Sequence, residues 1–487
     1  MAFTADRRRL LAGLLAVVST ALLAWFGTGL TPFWPLLWLA PLPVLLFAGR
    51  ASWWGAALVA ALAWFLGGLN LWHYFHAVLR VPPFVLVAIY ATPSATFALA
   101  VLLQRALLRR GAYVSALLAF PAAWVSFEYL LNVTSPHATG GNIAYSQLEF
   151  LPFLQLASLT GPWGMSFLLL MFSSAIAVGL HLRATAPRHA LRLVAAALGV
   201  IVLALIFGAV RLALPAAGKP VKVGLLASDS PASPEVSDEG EPTTKLFQAY
   251  AGQAAQLAAR GAQAIVMPEK IGVVVDPDTG ASDAIFQSLA DRIHAVVVVG
   301  LIHVAPPVKY NQARVYAPGA PVLSYDKEHM LPPFESKFKP GTALTLTSTP
   351  AGTWGVAICK DMDFTPLSRR YGAAGAGLML VPAWDFNLDR WSHGHMAVMR
   401  GVESGFAVVR SAKNGYLTVS DDRGRIVSET TSNSAPFAAL LADVPAAHDQ
   451  TLYLLAGDWF AWVALLLLAF AVVRCARPRR RARVSPD

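Results

Sequence analysis

The sequence predicts a multi-pass α-helical membrane bundle joined to an α/β domain. Three observations carry that reading. Hydrophobic residues make up 56% of the 487 positions and charged residues only 14%, against about 25% charged in ordinary soluble proteins. Several runs of about 20 mostly apolar residues, the length that crosses a bilayer, crowd the N-terminal 215 positions, and one more lies near the C-terminus. Between them, 219–450 alternates short strand-like runs with stretches of helical spacing, the pattern of an α/β domain.

The expected spans are 10–29, 33–49, 54–74, 83–104, 112–131, 160–182 and 191–214, with an eighth at 453–473. The first has a basic flank like a signal peptide but no small-x-small cleavage site, and further spans follow, so it reads as a retained helix. The loop 133–159 is too polar at its start to span and is expected to pack over the mouth of the bundle. Trp72, Tyr74, Phe75 and Trp163 fit an interfacial aromatic belt. His73 and His76 fall in the same zone and read as interfacial polar residues.

In the central segment, 221–227 is strand-like and 246–259 has helical spacing. Strand runs follow at 264–267, 295–304, 353–358 and 378–381, then helical spacing at 391–403 and a strand at 407–410. Residues 229–243, acidic and rich in Pro and Ser, read as a loop. The resulting division is 1–215 as bundle, 219–450 as α/β domain, 453–473 as a final helix and 474–487 as a basic tail.

The net charge of +10 does not point to nucleic acid, because the arginines cluster beside the apolar spans. Arg7–Arg9, Arg50, Arg105–Arg110, Arg183–Arg192 and the arginine-rich tail all fall on one side if the chain starts inside. That single assumption puts both termini in the cytoplasm and 219–450 outside. Cys359 and Cys475 would then be separated by the membrane, so no disulfide is expected.

Three residues carry chemistry. Glu269 ends the strand run 264–267, Lys327 sits in Tyr325-Asp326-Lys327-Glu328, and Cys359 follows the strand run 353–358. A carboxylate beside an apolar strand end suits a general base. An ammonium suits an oxyanion stabiliser, and a thiol suits a nucleophile. Singly, each has a bland reading: a strand-end carboxylate, a hairpin lysine, an inert buried cysteine. His393 and His395 lie close together without a cysteine or acidic partner at metal spacing. There is no phosphate-binding glycine loop. No metal or nucleotide cofactor is expected.

The order Glu, Lys, Cys resembles the carbon–nitrogen hydrolase (nitrilase) superfamily. The whole chain looks like its membrane branch, the apolipoprotein N-acyltransferase family. Trp124 and Glu128, Tyr145-Ser146-Gln147, and 161–167 fit that pattern. So do Trp391, His393, Met396, Met399, Arg400, Glu403, Gly405, Arg410, Ser411, Asn414 and Gly415. The resemblance implies an αββα sandwich with Glu269 as base, Lys327 as oxyanion stabiliser, Cys359 as nucleophile and Glu335 as a second glutamate assisting the site. It further implies that the Lys360 N–H adds an oxyanion donor, that Asp361 supports the site, and that Glu403, Trp384 and His393 contact substrate. The implied partners are a membrane phospholipid as acyl donor and a diacylated lipoprotein as acceptor, joined through a Cys359 thioester.

The chain departs from the family pattern in places. Lys360-Asp361 stands where an aromatic and then Glu are usual, and Lys270 where a small residue usually follows the base. Gly140-Gly141-Asn142-Ile143-Ala144 lacks the usual aromatics, and Ala227-Ser228-Asp229 replaces Gln-Gly-Asn. These changes spare the triad and touch its surroundings. A divergent membrane amidase or acyltransferase with another amine or amide substrate therefore stays open, as does a non-catalytic scaffold.

Overall fold

A computed structural model describes residues 2–215, 218–230 and 239–477. The tail arginines beyond 477 and most of the loop expected at 229–243 lie outside the described residues. Among those described, seven helices are long and apolar enough to cross a membrane: Arg7–Gly27, Trp53–Leu71, Pro83–Arg109, Tyr113–Thr134, Pro162–Leu182, Pro187–Ala213 and Trp459–Ala476. The chain is a membrane protein.

The expected span at 33–49 takes a different form. Prolines 35, 41 and 43 divide it into two short helices, Pro35–Leu39 and Leu42–Ala48. Together they reach only about 21 Å at 1.5 Å per residue. They nevertheless connect opposite ends of the bundle. Asn70 Nδ2 donates to Trp25 O and Thr28 O at one end, and Arg105 donates to Ala48 O and Ala51 O at the other. The last apolar helix also starts later than expected. Leu452–Ala456 is a separate turn, broken at Gly457, whose φ of +60° suits glycine.

The α/β domain has two facing sheets. One runs, edge to edge, Ala438–Pro445, Pro220–Ala227, Ala264–Val266, Val296–Ala305, Val308–Tyr316 and Leu323–Asp326, with Val273–Val275 also paired to Val296–Ala305. The other runs Ile426–Thr431, Tyr416–Ser420, Ala407–Lys413, Ala376–Trp384, Gly352–Val356 and Thr345–Thr349. The central strands are buried and read as near-continuous Val, Leu and Ala because both their faces are covered. Val223, Leu225, Val266 and Val298 meet Val356, Leu380 and Val408 in one core between the sheets. Helices Glu241–Ala259 and Thr279–Ile293 pack outside the first sheet through Phe247, Leu257 and Phe286. Thr365–Ala373 and Arg390–Ser404 cover the second. The architecture is α, β, β, α.

The loop after Thr134 joins the two parts. It is largely buried, with short helical turns at Ile143–Gln147 and Leu151–Leu154. Tyr145 accepts a hydrogen bond from Arg400 Nη2 at 3.0 Å, and Thr139 donates to Asp363 O. The α/β-domain helix Arg390–Ser404 is thereby fastened to the membrane part.

Candidate active site

The candidate residues sit where strands end. Glu269 follows Ala264–Val266, and its N–H donates to Ala383 O of the other sheet at 3.2 Å. Gly300 is required beside it: a Cβ there would meet Pro268 O at 2.4 Å and Glu269 Cα at 2.6 Å. Lys327 follows Leu323–Asp326, fixed by its N–H to Asn311 O at 2.8 Å. Cys359 follows Gly352–Val356 at a sharp turn into a single helical turn, Cys359–Asp363. Its φ of +46° is rare for a non-glycine residue and is held by its surroundings. Asp361 provides that hold. Its carboxylate accepts from Ile358 N–H at 3.1 Å, His329 N–H at 2.8 Å and Tyr325 O–H at 2.8 Å.

Glu269, Glu335, Lys327 and Lys270 form one buried charge cluster. Lys327 Nζ lies 2.9 Å from Glu269 Oε1 and 2.7 Å from Glu335 Oε2. Lys270 Nζ lies 2.7 Å from Glu335 Oε1 and 3.4 Å from Glu269 Oε1. Asn311 Nδ2 bridges both acids, at 2.5 Å to Glu269 and 2.8 Å to Glu335. Glu269 and Lys327 are each only 1% exposed, so unpaired charge would be costly there. Burial favours neutral amines, but Glu269 and Glu335 override it and hold Lys327 well above the usual lysine range and Lys270 above it. Burial pushes Glu335 up, yet Lys327 and Lys270 hold it well below the usual carboxylate range. Burial, with the nearby charge of Glu269, pushes the Cys359 thiol up, and Lys327 only partly offsets this. The Cys359 sulfur points toward the end of strand Ala376–Trp384. Its S–H faces Trp384 O at 3.5 Å.

Glu269, Lys327, Glu335 and Cys359 all line one cavity of about 1190 Å³, with Lys360, Trp384 and His393. Its other walls come from the bundle, including Trp64, Val85, Ile89 and Phe127. Trp384 lies under two ammonium groups, Lys413 at 4.6 Å and Lys270 at 5.5 Å from its ring centre. Lys360 Nζ reaches Asp363 and His137, each at 3.3 Å. Two expected residues lie off the cavity wall. Glu403 is fully buried behind it, paired with Arg400 at 2.9 Å, and Asp361 shapes the turn rather than facing substrate space. Neither His73 nor His76 is on the cavity wall; His76 stacks on Trp72.

His393 Nδ1 lies 3.3 Å from Asp389 and 3.6 Å from Asp385. Burial lowers its pKa, but Asp389 and Asp385 outweigh this and raise it to about 9. The three donor groups are close enough for a metal ion. Asp385, however, is engaged at both oxygens by Arg410, at 2.9 and 2.5 Å. Asp389 is engaged by Tyr74 O–H at 2.6 Å and Phe386 N–H at 2.8 Å. Arg410 thus supplies a positive charge beside Asp385. Asn311 and the Tyr74–Asp389 contact had no signal in the sequence, because Asn311 is one of several polar residues in its strand and Tyr74 and Asp389 lie 315 positions apart.

Two facing sheets flanked by helices, with charged side chains gathered at strand ends, define a carbon–nitrogen hydrolase domain, and the carbon–nitrogen hydrolase family profile matches residues 233–453. The profile for the apolipoprotein N-acyltransferase N-terminal domain matches residues 13–175. Curated relatives named apolipoprotein N-acyltransferase align over almost the whole chain. The one from Geobacter metallireducens is 28% identical, covering 96% of each chain. The one from Gloeobacter violaceus is 25% identical, covering 98% of this chain and 97% of its own. The chain is thus similar over almost its whole length to the apolipoprotein N-acyltransferases, with the two domain profiles matching its membrane part and its α/β domain in turn. Among solved structures, an amidase from Nesterenkonia sp. matches 50% of this chain and 97% of its own, at 21% identity and a TM-score of 0.40.

Proposed function

We propose that the protein transfers an acyl chain from a membrane phospholipid to the free α-amine of an S-diacylglyceryl cysteine on a lipoprotein. The observation that supports this best is the single cavity lined both by Glu269, Lys327 and Cys359 and by membrane-helix side chains. A nucleophile in a cavity shared with membrane helices suits a lipid ester.

In the first half-reaction, Glu269 takes the thiol proton as Cys359 Sγ attacks the ester carbonyl. Lys327 and the Lys360 N–H stabilise the tetrahedral oxyanion. The C–O bond breaks, the proton passes to the leaving alkoxide, and a thioester and a lysophospholipid result. In the second, the amine attacks the thioester, Glu269 accepts a proton from nitrogen, the C–S bond breaks and the thiol is restored. Glu335, Lys270 and Asn311 keep Glu269 and Lys327 aligned. A reading with the 219–450 domain outside is supported by Arg105 and Arg109, which both reach Ala51 O and so gather at one end of the bundle.

Mass spectrometry of protein incubated with phospholipid, then with a diacylated lipopeptide, tests the proposal. An acyl adduct on Cys359 that moves to the peptide amine is expected. An adduct that passes only to water or another amine would reject the acceptor and favour an amidase or a different acyltransferase. No adduct would reject the mechanism.

A further inference from the structure

The cavity reaches into the membrane part and stops at one level on three helices. On Trp53–Leu71 its wall runs from Leu71 in to Trp64, on Pro83–Arg109 from Val85 in to Pro93, and on Tyr113–Thr134 from Leu131 in to Trp124. No described residue farther along these helices, toward the end where Arg105 meets Ala51, borders it. Aromatic rings close it there. Trp64 and Trp124 meet edge to face, with 4.9 Å between ring centres. Phe97, one turn beyond Pro93, stacks on Trp64 at 4.4 Å with the planes 12° apart. Phe120, one turn beyond Trp124, packs edge-on against Phe97 at 5.5 Å. Both phenylalanines are fully buried, so the floor is backed by packed rings rather than by further space. Pro93 lies ten residues into its helix, about 15 Å at 1.5 Å per residue. The hydrocarbon core of a bilayer is about 30 Å thick, so the floor sits near the depth at which the chains of one leaflet end.

A closed apolar end limits length. A methylene pushed against close-packed rings has to displace them, and overpacking of that kind is costly. One turn nearer the α/β domain on the Trp64 helix, Gly68 leaves the cavity wide: a Cβ there would have Tyr90 as its nearest neighbour, at an ordinary contact distance of 3.5 Å. We infer that Trp64, backed by Phe97 and Phe120, sets the longest acyl chain that Cys359 accepts. The occupant is the transferred chain of the donor lipid, which stays in the cavity as the thioester while the rest of the lipid leaves. The inference rests on the proposed acyl transfer and names the feature of the donor that the site selects.

The test uses the full chain in detergent and an equimolar mixture of phospholipids identical in head group and differing only in the length of their saturated chains. Mass spectrometry of the intact protein reads each acyl adduct on Cys359 in a single turnover. All lengths compete within one sample, so loss of active protein cancels from the ratios. Wild type should accept chains up to one length and then fall by about 10-fold for each further methylene, the scale on which an apolar pocket distinguishes one methylene. Trp64→Ala should move that cut-off to longer chains. Gly68→Leu, which fills space above the floor and leaves the four aromatic side chains in place, should move it to shorter ones. A wild-type profile without a cut-off would overturn the inference, and that comparison needs no variant. So would a folded Trp64→Ala or Gly68→Leu protein with the wild-type profile. Absence of any Cys359 adduct, whatever the donor, would instead overturn the acyl-transfer reading and the length limit with it.

Discussion

Replacing Lys327 by Met removes one cation from a cluster of two buried acids and two buried amines. The remaining Lys270 lies 2.7 Å from Glu335 but 3.4 Å from Glu269, so Glu269 loses its nearer cation while staying buried. Two effects follow. Removing one partner of a buried ion pair destabilises by about 3–5 kcal/mol, since methionine fills the space without supplying charge. Losing an oxyanion donor slows acylation by roughly 10²- to 10³-fold. The titration of Glu335 gives a third readout. Its depressed pKa contributes stability that is present above the ordinary carboxylate range and lost as pH falls through the folded value. Without Lys327 that folded value moves up, so the variant should begin to lose stability at a higher pH than wild type. The assay is the single-turnover rate of Cys359 acylation, with thermal unfolding of detergent-solubilised protein from about pH 2 to about pH 8, which brackets the ordinary carboxylate value of about 4. A change in KM alone, with an unchanged acylation rate constant, would refute the oxyanion role. Identical acid limbs in the two proteins would refute the coupling.

Glu269→Gln should abolish acylation yet lower the Cys359 thiol pKa, because a nearby negative charge is removed; the pH profile of thiol alkylation reads the second effect, and an unshifted profile would contradict it. Cys359→Ala should form no thioester, and any retained adduct elsewhere would refute the nucleophile. Asp361→Ala should destabilise the turn that holds Cys359 at positive φ, lowering acylation and unfolding temperature together; an unchanged unfolding temperature would leave Asp361 without its supporting role. His393→Gln addresses the alkaline side. A histidine raised to about 9 contributes stability present below its unfolded value of about 6.5 and lost as pH rises through about 9. The gap between wild type and variant in unfolding temperature should therefore shrink from pH 6.5 to 9.5, about the window set by those two values; a constant gap would mean the Asp389–His393 charge pair is not what the residue supplies.

The fold class was legible because its signals are long and redundant. Apolar runs of twenty residues and buried parallel strands such as 295–304 stand out without their neighbours. The segment 33–49 read as an ordinary span because hydropathy counts its leucines, whereas backbone geometry answers to its prolines. Strands such as Val308–Tyr316 and Ala438–Pro445 were missed for a related reason. Val308–Tyr316 carries Lys309, Asn311, Gln312 and Arg314 on a mixed pattern, and its strand form is set by nine paired residues of Val296–Ala305 rather than by its own propensity.

The candidate site divides along the same line. Glu269, Lys327 and Cys359 share order and strand-end position, which sequence records directly. What sets their ionisation is recorded nowhere along the chain. Lys270 reads as a charge that would oppose a general base, since adjacent residues give no hint of where an ammonium points. In space it sits on Glu335, and with Lys327 it balances two carboxylates in a place nearly free of solvent. Removing Lys270 would leave two buried acids against one amine, the arrangement most apt to hold a proton on a carboxylate. The two lysines match the two carboxylates in charge. The departure at position 270 thus supports the chemistry assigned to Glu269, and the departures that bear on substrate are the ones facing the cavity, Lys360 beside the nucleophile foremost.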